Sequence, residues 1–251
     1  MPRLVAVWRR HRRLAEGPPT LVGRELKEVA QGIRTLSAGL TRDRALVGGR
    51  YLDDPKLLGA YLLFYWPVSY AQARSVLGEL PRRPRSVLDL GSGPGPVAFA
   101  ALDAGASEVT AADRSAPALA LARALAAEAE EPLATRTWSG GGALPEGQFD
   151  VITLGHVLNE LGRGSAAISE RAALLERAAA EVRPGGSLVV LEPALRDTSR
   201  ELLQVRDVLV QRGFAVRAPC LWRGPWRPRQ RSRWPPGPGA AEARCRRDSS
   251  T

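Results

Sequence analysis

The sequence predicts an α/β protein: an open, mostly parallel sheet, preceded by a helical extension and followed by a basic tail. Three observations carry that prediction. From Ser86 onward, short apolar runs alternate with stretches of helical spacing. A glycine-rich run, Gly91-Ser92-Gly93-Pro94-Gly95, stands where the first of those runs ends and a helix opens. After Cys220 all periodicity stops. The organisation follows: residues 1–80 form a helical region, 81–220 the sheet domain, and 221–251 the Arg/Pro/Trp-rich tail.

Taken in order, residues 2–13 (PRLVAVWRRHRR) do not read as a secretory signal. Leu4–Trp8 is too short for an apolar core, and Arg9, Arg10, Arg12 and Arg13 follow it rather than precede it. A transit peptide stays open, with no cleavage site marked. From Thr20 to about Leu46, Leu21, Val22, Leu26, Val29, Ile33, Leu36 and Leu40 recur at helical spacing. Gly48-Gly49 breaks the pattern. Asp53-Asp54-Pro55 then reads as an N-cap with proline in the first turn. A second, aromatic-rich helical stretch runs to about Leu80, with Pro67 expected to kink or split it.

Beyond Pro81-Arg82-Arg83-Pro84 the expected strands are Ser86–Leu90, Glu108–Ala112, Ala134–Trp138, Phe149–Leu154, Ser187–Leu191 and a short Phe214–Arg217. The expected helices run from Pro96 to about Ala104, over Ala116–Glu131, Ala166–Val182 and Thr198–Arg212. Arg183-Pro184-Gly185-Gly186 reads as a turn. Residues 221–251 have neither helical nor strand period and read as disordered or poorly packed. They are either an RNA-binding tail, with arginines on phosphates and tryptophans on bases, or an out-of-frame ending.

Composition narrows the function classes. The chain has 251 residues, 44% apolar and 25% charged, enough to bury a core. No apolar run approaches the roughly 18–20 residues of a membrane span. The only cysteines, Cys220 and Cys245, cannot make a disulfide framework or a four-cysteine metal site. Their scarcity fits a reducing cytoplasm. The net charge of +10 lies at the ends: five Arg in 1–13, and nine in 217–251 against Glu242 and Asp248. Residues 14–216 keep 22 basic and 24 acidic residues, so the middle is nearly neutral. Basic ends suit a polyanion such as rRNA. The plainer alternative is a solvated terminus in an arginine-biased composition, with 34 Arg to 2 Lys.

The chemistry concentrates at Val87-Leu88-Asp89-Leu90-Gly91-Ser92-Gly93-Pro94-Gly95. Glycines at a strand end let the backbone approach a ligand, and the helix that follows offers its dipole to a carboxylate. A dinucleotide loop wants Gly-x-Gly-x-x-Gly, but Pro96 stands at its third glycine. Asp-x-Gly-x-Gly-x-Gly is instead the first motif of S-adenosylmethionine (SAM) methyltransferases. Asp89 should hold the loop or receive the methionine ammonium. Asp113, 24 residues on at the end of the second strand, can accept both ribose hydroxyls. Arg114 beside it joins the cofactor-binding set with Asp89, Gly91, Ser92, Gly93, Gly95 and Asp113; a helix cap is the plainer role for Asp113.

His156 and Asn159 follow the fourth strand and are the candidate catalytic residues, His156 as a base or a hold on substrate. The plainer reading packs His156 at the strand end and puts Asn159-Glu160 in a short helix. No Asn/Asp-Pro-Pro-Tyr/Phe motif occurs for an exocyclic amine. No cysteine stands nearby for a covalent adduct to a base. The acid expected after the third strand is missing, since Trp138 is followed by Ser139 and three glycines. Glu192-Pro193 ends the fifth strand at the same sheet edge.

Tyr51-Leu52-Asp53-Asp54-Pro55, the aromatic stretch Tyr61–Tyr70, Val87–Pro96, His156–Leu161, Leu191-Glu192-Pro193 and Arg217-Ala218-Pro219-Cys220 together resemble a family. It is the methyltransferase-like proteins of the small ribosomal subunit, bacterial and mitochondrial assembly factors, and the resemblance covers about residues 20–220. It implies a Rossmann-like, SAM-dependent methyltransferase sheet, a role in small-subunit RNA maturation or assembly, and often an iron–sulfur cluster held by cysteines. Cys220 matches the first of those cysteines. The chain then departs: Trp226 and Trp234 stand where further cysteines are expected, and a cluster needs about four thiolates.

Three functions follow as expectations. The first is SAM-dependent methylation of small-subunit rRNA. The second is an RNA-binding assembly factor with little turnover. The third is a small-molecule methyltransferase, because fold does not fix substrate. The expected place is the cytoplasm; the oligomeric state is not legible.

Overall fold

The computed structural model describes residues 1–162 and 164–218. Cys220, Cys245 and the 221–251 tail, with everything the sequence suggested of them, lie outside the described residues.

Five strands form one parallel sheet: β1 (Ser86–Leu90), β2 (Glu108–Asp113), β3 (Leu133–Thr137), β4 (Phe149–Gly155) and β5 (Val182–Leu191). Their spatial order is β3-β2-β1-β4-β5. The chain runs outward from β1 to one edge, then returns to its other side for β4 and β5. This is the doubly wound order, and its reversal lies between β1 and β4.

The run Val87–Leu90 divides by the period-two rule. Val87 faces a core shared with the N-terminal helices, while Leu88 and Leu90 face the opposite one. On the first face lie α5 (Pro96–Asp103) and α6 (Ala116–Ala129); on the second lie α7 (Ala167–Ala180) and α8 (Arg196–Gln211). Leu88, Leu90, Ile152 and Leu154 are fully buried, each worth about 1.5–3 kcal/mol in transfer from water. At the other end of the sheet, Asp150 accepts from the Arg85 and Ser86 amides at 2.8 and 3.0 Å and pairs with Arg183, fixing where β1 starts.

Residues 1–80 form the expected helical region. Its helices are α1 (Pro2–His11), α2 (Gly23–Ser37), α3 (Pro55–Ala60) and α4 (Trp66–Gly78). The Asp54 carboxylate accepts from the Lys56 and Leu57 amides at 2.7 and 3.0 Å, the expected N-cap before Pro55. Pro67 splits the aromatic stretch as expected: a π-helical turn over Tyr61–Tyr65 precedes it, closed by the Trp66 amide on the Tyr61 carbonyl. A second π turn, Ala38–Arg42, extends α2.

Three expectations need correction. The basic N-terminus is an element of the fold and not a free arm, with Arg3 and Arg13 left exposed: Leu4, Val5, Val7 and Trp8 are buried against α3 and α6. Arg9, Arg10 and Arg12 pair with Glu25, Glu128 and Glu28. An arginine count cannot show acids that lie elsewhere in the chain. The turn at Arg183–Gly186 is a bulge inside β5: Phe149 pairs with Val182, and two residues on Val151 pairs with Ser187. Gly185, at φ +80°, supplies the left-handed residue the bulge needs. Phe214–Arg217 forms no strand. Phe214 packs instead against the core under α7 and α8, and its apolar side chain had suggested a ladder.

Candidate functional site

A cavity of about 320 Å³ opens at the carboxyl ends of β1, β2 and β4, beside the point where the sheet order reverses. Its floor is the glycine run. Gly91, Gly93 and Gly95 have φ of +69°, +53° and +82°, left-handed values that cost little only to glycine. A Cβ on Gly91 would stand 2.3 Å from the Val157 side chain, and one on Gly93 3.3 Å from Leu52. The loop hangs from the neighbouring strand, because the Gly91 and Ser92 amides both donate to the Ala112 carbonyl.

The carboxylates that follow the strands do different work. Asp89 is wholly buried and does not line the cavity. One of its oxygens accepts from the Ala98 amide at 3.1 Å, the other from the Thr153 hydroxyl at 2.7 Å. It thereby takes up the amino end of α5, which the sequence had offered to a ligand carboxylate. Burial pushes the Asp89 carboxyl up to about 7, against the pull of those two bonds. Asp113 does line the cavity. Its oxygens accept from the Gly93 amide at 2.8 Å and the Ser115 amide at 2.7 Å. Burial raises its pKa as well. Each oxygen keeps a second lone pair for a hydroxyl donor. The Ser115 hydroxyl caps α6 at the Ala118 amide, which leaves Asp113 free of that duty.

Among the other residues the sequence singled out, Arg114, His156 and Asn159 reach the cavity, while Ser92 and Gly95 lie beneath its floor. His156 has φ +61° and is pinned by its amide on the Leu191 carbonyl at 2.7 Å. Its Nε2 meets the Gln72 side-chain oxygen at 3.3 Å, and its Nδ1 is buried without a partner. Burial lowers its pKa, so the ring is neutral near pH 7. Asn159 is fully occupied. Its amide nitrogen donates to the His156 carbonyl and to Glu192, and its oxygen accepts from Arg44. Glu192 also accepts from the Leu158 amide at 2.8 Å, and burial pushes its carboxyl up to about 7. Asn159 and Glu192 thus fix the turn after β4; at the end of β5 it is Pro193 that lines the cavity.

The roof is the part sequence reasoning missed. Residues 44–53 cross over the cavity and bond to the loops after β2 and β4. Arg44 donates to Asn159, the Tyr51 hydroxyl to Glu160 at 2.9 Å, the Ser115 hydroxyl to Asp53 at 2.7 Å, and Arg114 to the Gly49 carbonyl. Burial raises Glu160 and lifts Tyr51 well above the usual phenol value. Tyr61, Tyr65, Ser69 and Gln72 close the other side. The Asp-Asp-Pro cap was legible, but nothing local tied Tyr51 to Glu160.

The arrangement fits a nucleoside-bearing ligand: a bare glycine floor, a carboxylate at the end of the adjoining strand, and an indole, Trp138, against the wall with its Nε1 unpartnered. Trp138 and Ser139 occupy the place where an acid was expected after β3. Among the described residues no three His, Cys, Asp or Glu side chains converge as metal ligands, and no helix is long and apolar enough to cross a membrane.

A family model described as mitochondrial small ribosomal subunit Rsm22 matches residues 56–229. Among solved structures, the glycopeptide N-methyltransferase MtfA complexed with sinefungin aligns at 23% identity and a TM-score of 0.41, over 49% of this chain and 53% of its own. SAM-bound CalS10, an amino pentose methyltransferase from Micromonospora echinaspora, gives 20%, 0.42, 53% and 52%. The CcbJ methyltransferase from Streptomyces caelestis gives 26%, 0.39, 49% and 48%. The chain spans about half the length of the solved structures it matches. No curated protein matches it.

Proposed function

Because the chain belongs to the mitochondrial small ribosomal subunit Rsm22 family, we propose that it binds SAM in this cavity and acts on the RNA of the small ribosomal subunit as a methyltransferase. The observation that carries the reading is the left-handed glycine run facing a buried Asp113 across the β1 and β2 ends. Bound SAM would supply an electrophilic methyl group on sulfur. Asp113 would accept the ribose hydroxyls with the lone pairs its backbone bonds leave over. Trp138 and Ser139 would flank the base. The roof of residues 44–53 would shield a bound ligand from water, and His156, neutral near pH 7, can take a proton from an acceptor nitrogen or oxygen. The protein's share is positioning and charge rather than covalent chemistry. The place of work is the cytoplasm, as the cysteine usage suggested, or the mitochondrion that the family's description names.

A second reading, assembly without turnover, is favoured by one observation: every polar atom of the Asn159 side chain is already bonded within the protein. Calorimetry and transfer of labelled methyl onto small-subunit RNA separate the two. Native protein should bind SAM. Gly93→Asp, which puts a carboxylate and a strained backbone into the floor, should weaken binding by at least about 100-fold, roughly 2.7 kcal/mol. Equal affinity in the two proteins rejects the site. Binding without label transfer supports the assembly reading.

A further inference from the structure

At the opposite end of the sheet from the SAM cavity lies a second cleft, of about 420 Å³, bounded by the carboxyl ends of α4 and α5 and by Pro81-Arg82-Arg83-Pro84. We infer that this cleft is a phosphodiester-binding site, through which the protein grips RNA of the small subunit away from the site of methyl transfer. The inference rests on the small-subunit reading above and gives it a surface.

Charge makes the first case, with the arginines set against the partial negative charge that the carboxyl ends of α4 and α5 bring to the cleft. The cleft's own acid, Asp103, is taken by the Tyr70 hydroxyl and by Arg74 at 3.3 Å. The nearby acids at the start of the sheet are taken too, Glu108 by Arg85 and Asp150 by Arg183. Glu79, at the end of α4, is exposed. Arg82 and Arg83 are exposed and have no ion pair among the described residues. They differ in this from Arg9, Arg10 and Arg12, which the fold has spent on its own glutamates.

Backbone stiffness makes the second. Pro81 and Pro84 bracket the pair and fix φ on both sides, and Pro84 is buried at the entrance to β1. A short loop held at both ends loses little backbone freedom when its guanidinium groups are immobilised, so only the arginine side chains themselves are ordered. Arginine's planar fork matches two phosphate oxygens at once. β1, five residues long, separates the loop from the glycine floor by roughly 16 Å. An RNA held here is therefore anchored, not presented to the methyl group.

The test uses the full chain, a fluorescein-labelled RNA hairpin and a salt series. Native binding should weaken linearly with log salt. Arg82→Ala/Arg83→Ala should make that slope shallower by about 1.5–2 and cut affinity roughly tenfold at low salt. Arg82→Lys/Arg83→Lys should restore most of the slope. SAM affinity, measured by calorimetry, should be the same in all three proteins. An unchanged slope in the alanine variant overturns the proposal and leaves the SAM site intact. So does a lowered melting temperature with an unchanged slope, which would mean that the arginines merely serve the carbonyl ends of α4 and α5. So does a poly-glutamate peptide that binds with the same dependence on Arg82 and Arg83 while the hairpin does not bind, since that identifies an acidic protein partner. Absence of hairpin binding by the native chain at low salt overturns both this site and the RNA part of the small-subunit reading.

Discussion

The floor of the cavity and its roof are held together by different kinds of bond. Below, β1, β2 and β4 are joined by backbone ladders whose register an apolar run dictates, and the glycine loop hangs from a backbone carbonyl. Above, residues 44–53 turn on local bonds such as Val47 and Gly49 on the Arg44 and Leu46 carbonyls, and are tied to the site by side chains reaching partners far along the chain. Tyr51 and Glu160 are 109 residues apart, Arg44 and Asn159 115, Asp53 and Ser115 62. Backbone ladders leave a periodic trace in sequence. A hydroxyl bonded to a distant carboxylate leaves none. The floor is thus assembled from local signals, and the roof from coincidences that only the fold brings about.

The largest expected effect tests whether floor and roof nevertheless unfold as one body. Trp8 is buried, packs on Gly59 so tightly that a Cβ there would lie 2.3 Å from its ring nitrogen, and shares one core with Leu62, Val87 and Val109. Trp8→Ala should cost about 3–5 kcal/mol and lower the temperature of a single unfolding transition in calorimetry. Two separate transitions, with the sheet melting at its native temperature, would show the helical layer to be an independent unit.

The same division explains what could be read beforehand. The strands β1 to β4 and the helices α5 to α8 were legible within a residue or two, because their apolar spacing and their breakers (Pro96, Gly213) act locally. The glycine run and Asp113 were legible as a pair, because a fixed spacing along two adjacent strands brings them together. The helix α1 was not, since PRLVAVWRRHRR shows its charges and not the glutamates that answer them. Asn159 was read as a catalytic candidate from its place after β4. Its three bonds to Arg44, His156 and Glu192 could not be seen without the fold.

Next in size is the buried carboxyl under the floor. Asp89 ionises near 3.8 when unfolded and at about 7 when folded, because burial disfavours the charge. Below about pH 4 both states hold the proton, and above about pH 7 neither does. Between these limits only the folded state holds it, so stability conferred by Asp89 falls as pH rises through the window. The loss is on the order of 4 kcal/mol. Asp89→Asn removes the proton while keeping the shape: its oxygen can accept from the Ala98 amide and its nitrogen can donate to the Thr153 hydroxyl. Denaturant titrations at several pH values should show the variant losing less stability than the native protein between pH 4 and 7. Parallel curves would mean that Asp89 is not the group that titrates there.

The smallest expected effect asks whether the roof belongs to the ligand site at all. Tyr51 donates to Glu160, whose carboxyl is already raised by burial and held down by that hydroxyl and by Arg114, 3.9 Å away. Tyr51→Phe removes one donor from a charged acceptor and leaves the ring to pack as before. The cost should be about 1 kcal/mol, small enough that the melting temperature falls by only about 2–4 °C. If residues 44–53 close over bound SAM, that cost appears as affinity, a fall of roughly fivefold at pH 7. It should shrink as pH is lowered, because a protonated Glu160 no longer needs the hydroxyl's proton and can itself donate. Glu160→Gln should mimic the low-pH behaviour at every pH. Unchanged SAM affinity in Tyr51→Phe, with Gly93→Asp still defective, would place the ligand wholly on the floor and reduce the roof to packing.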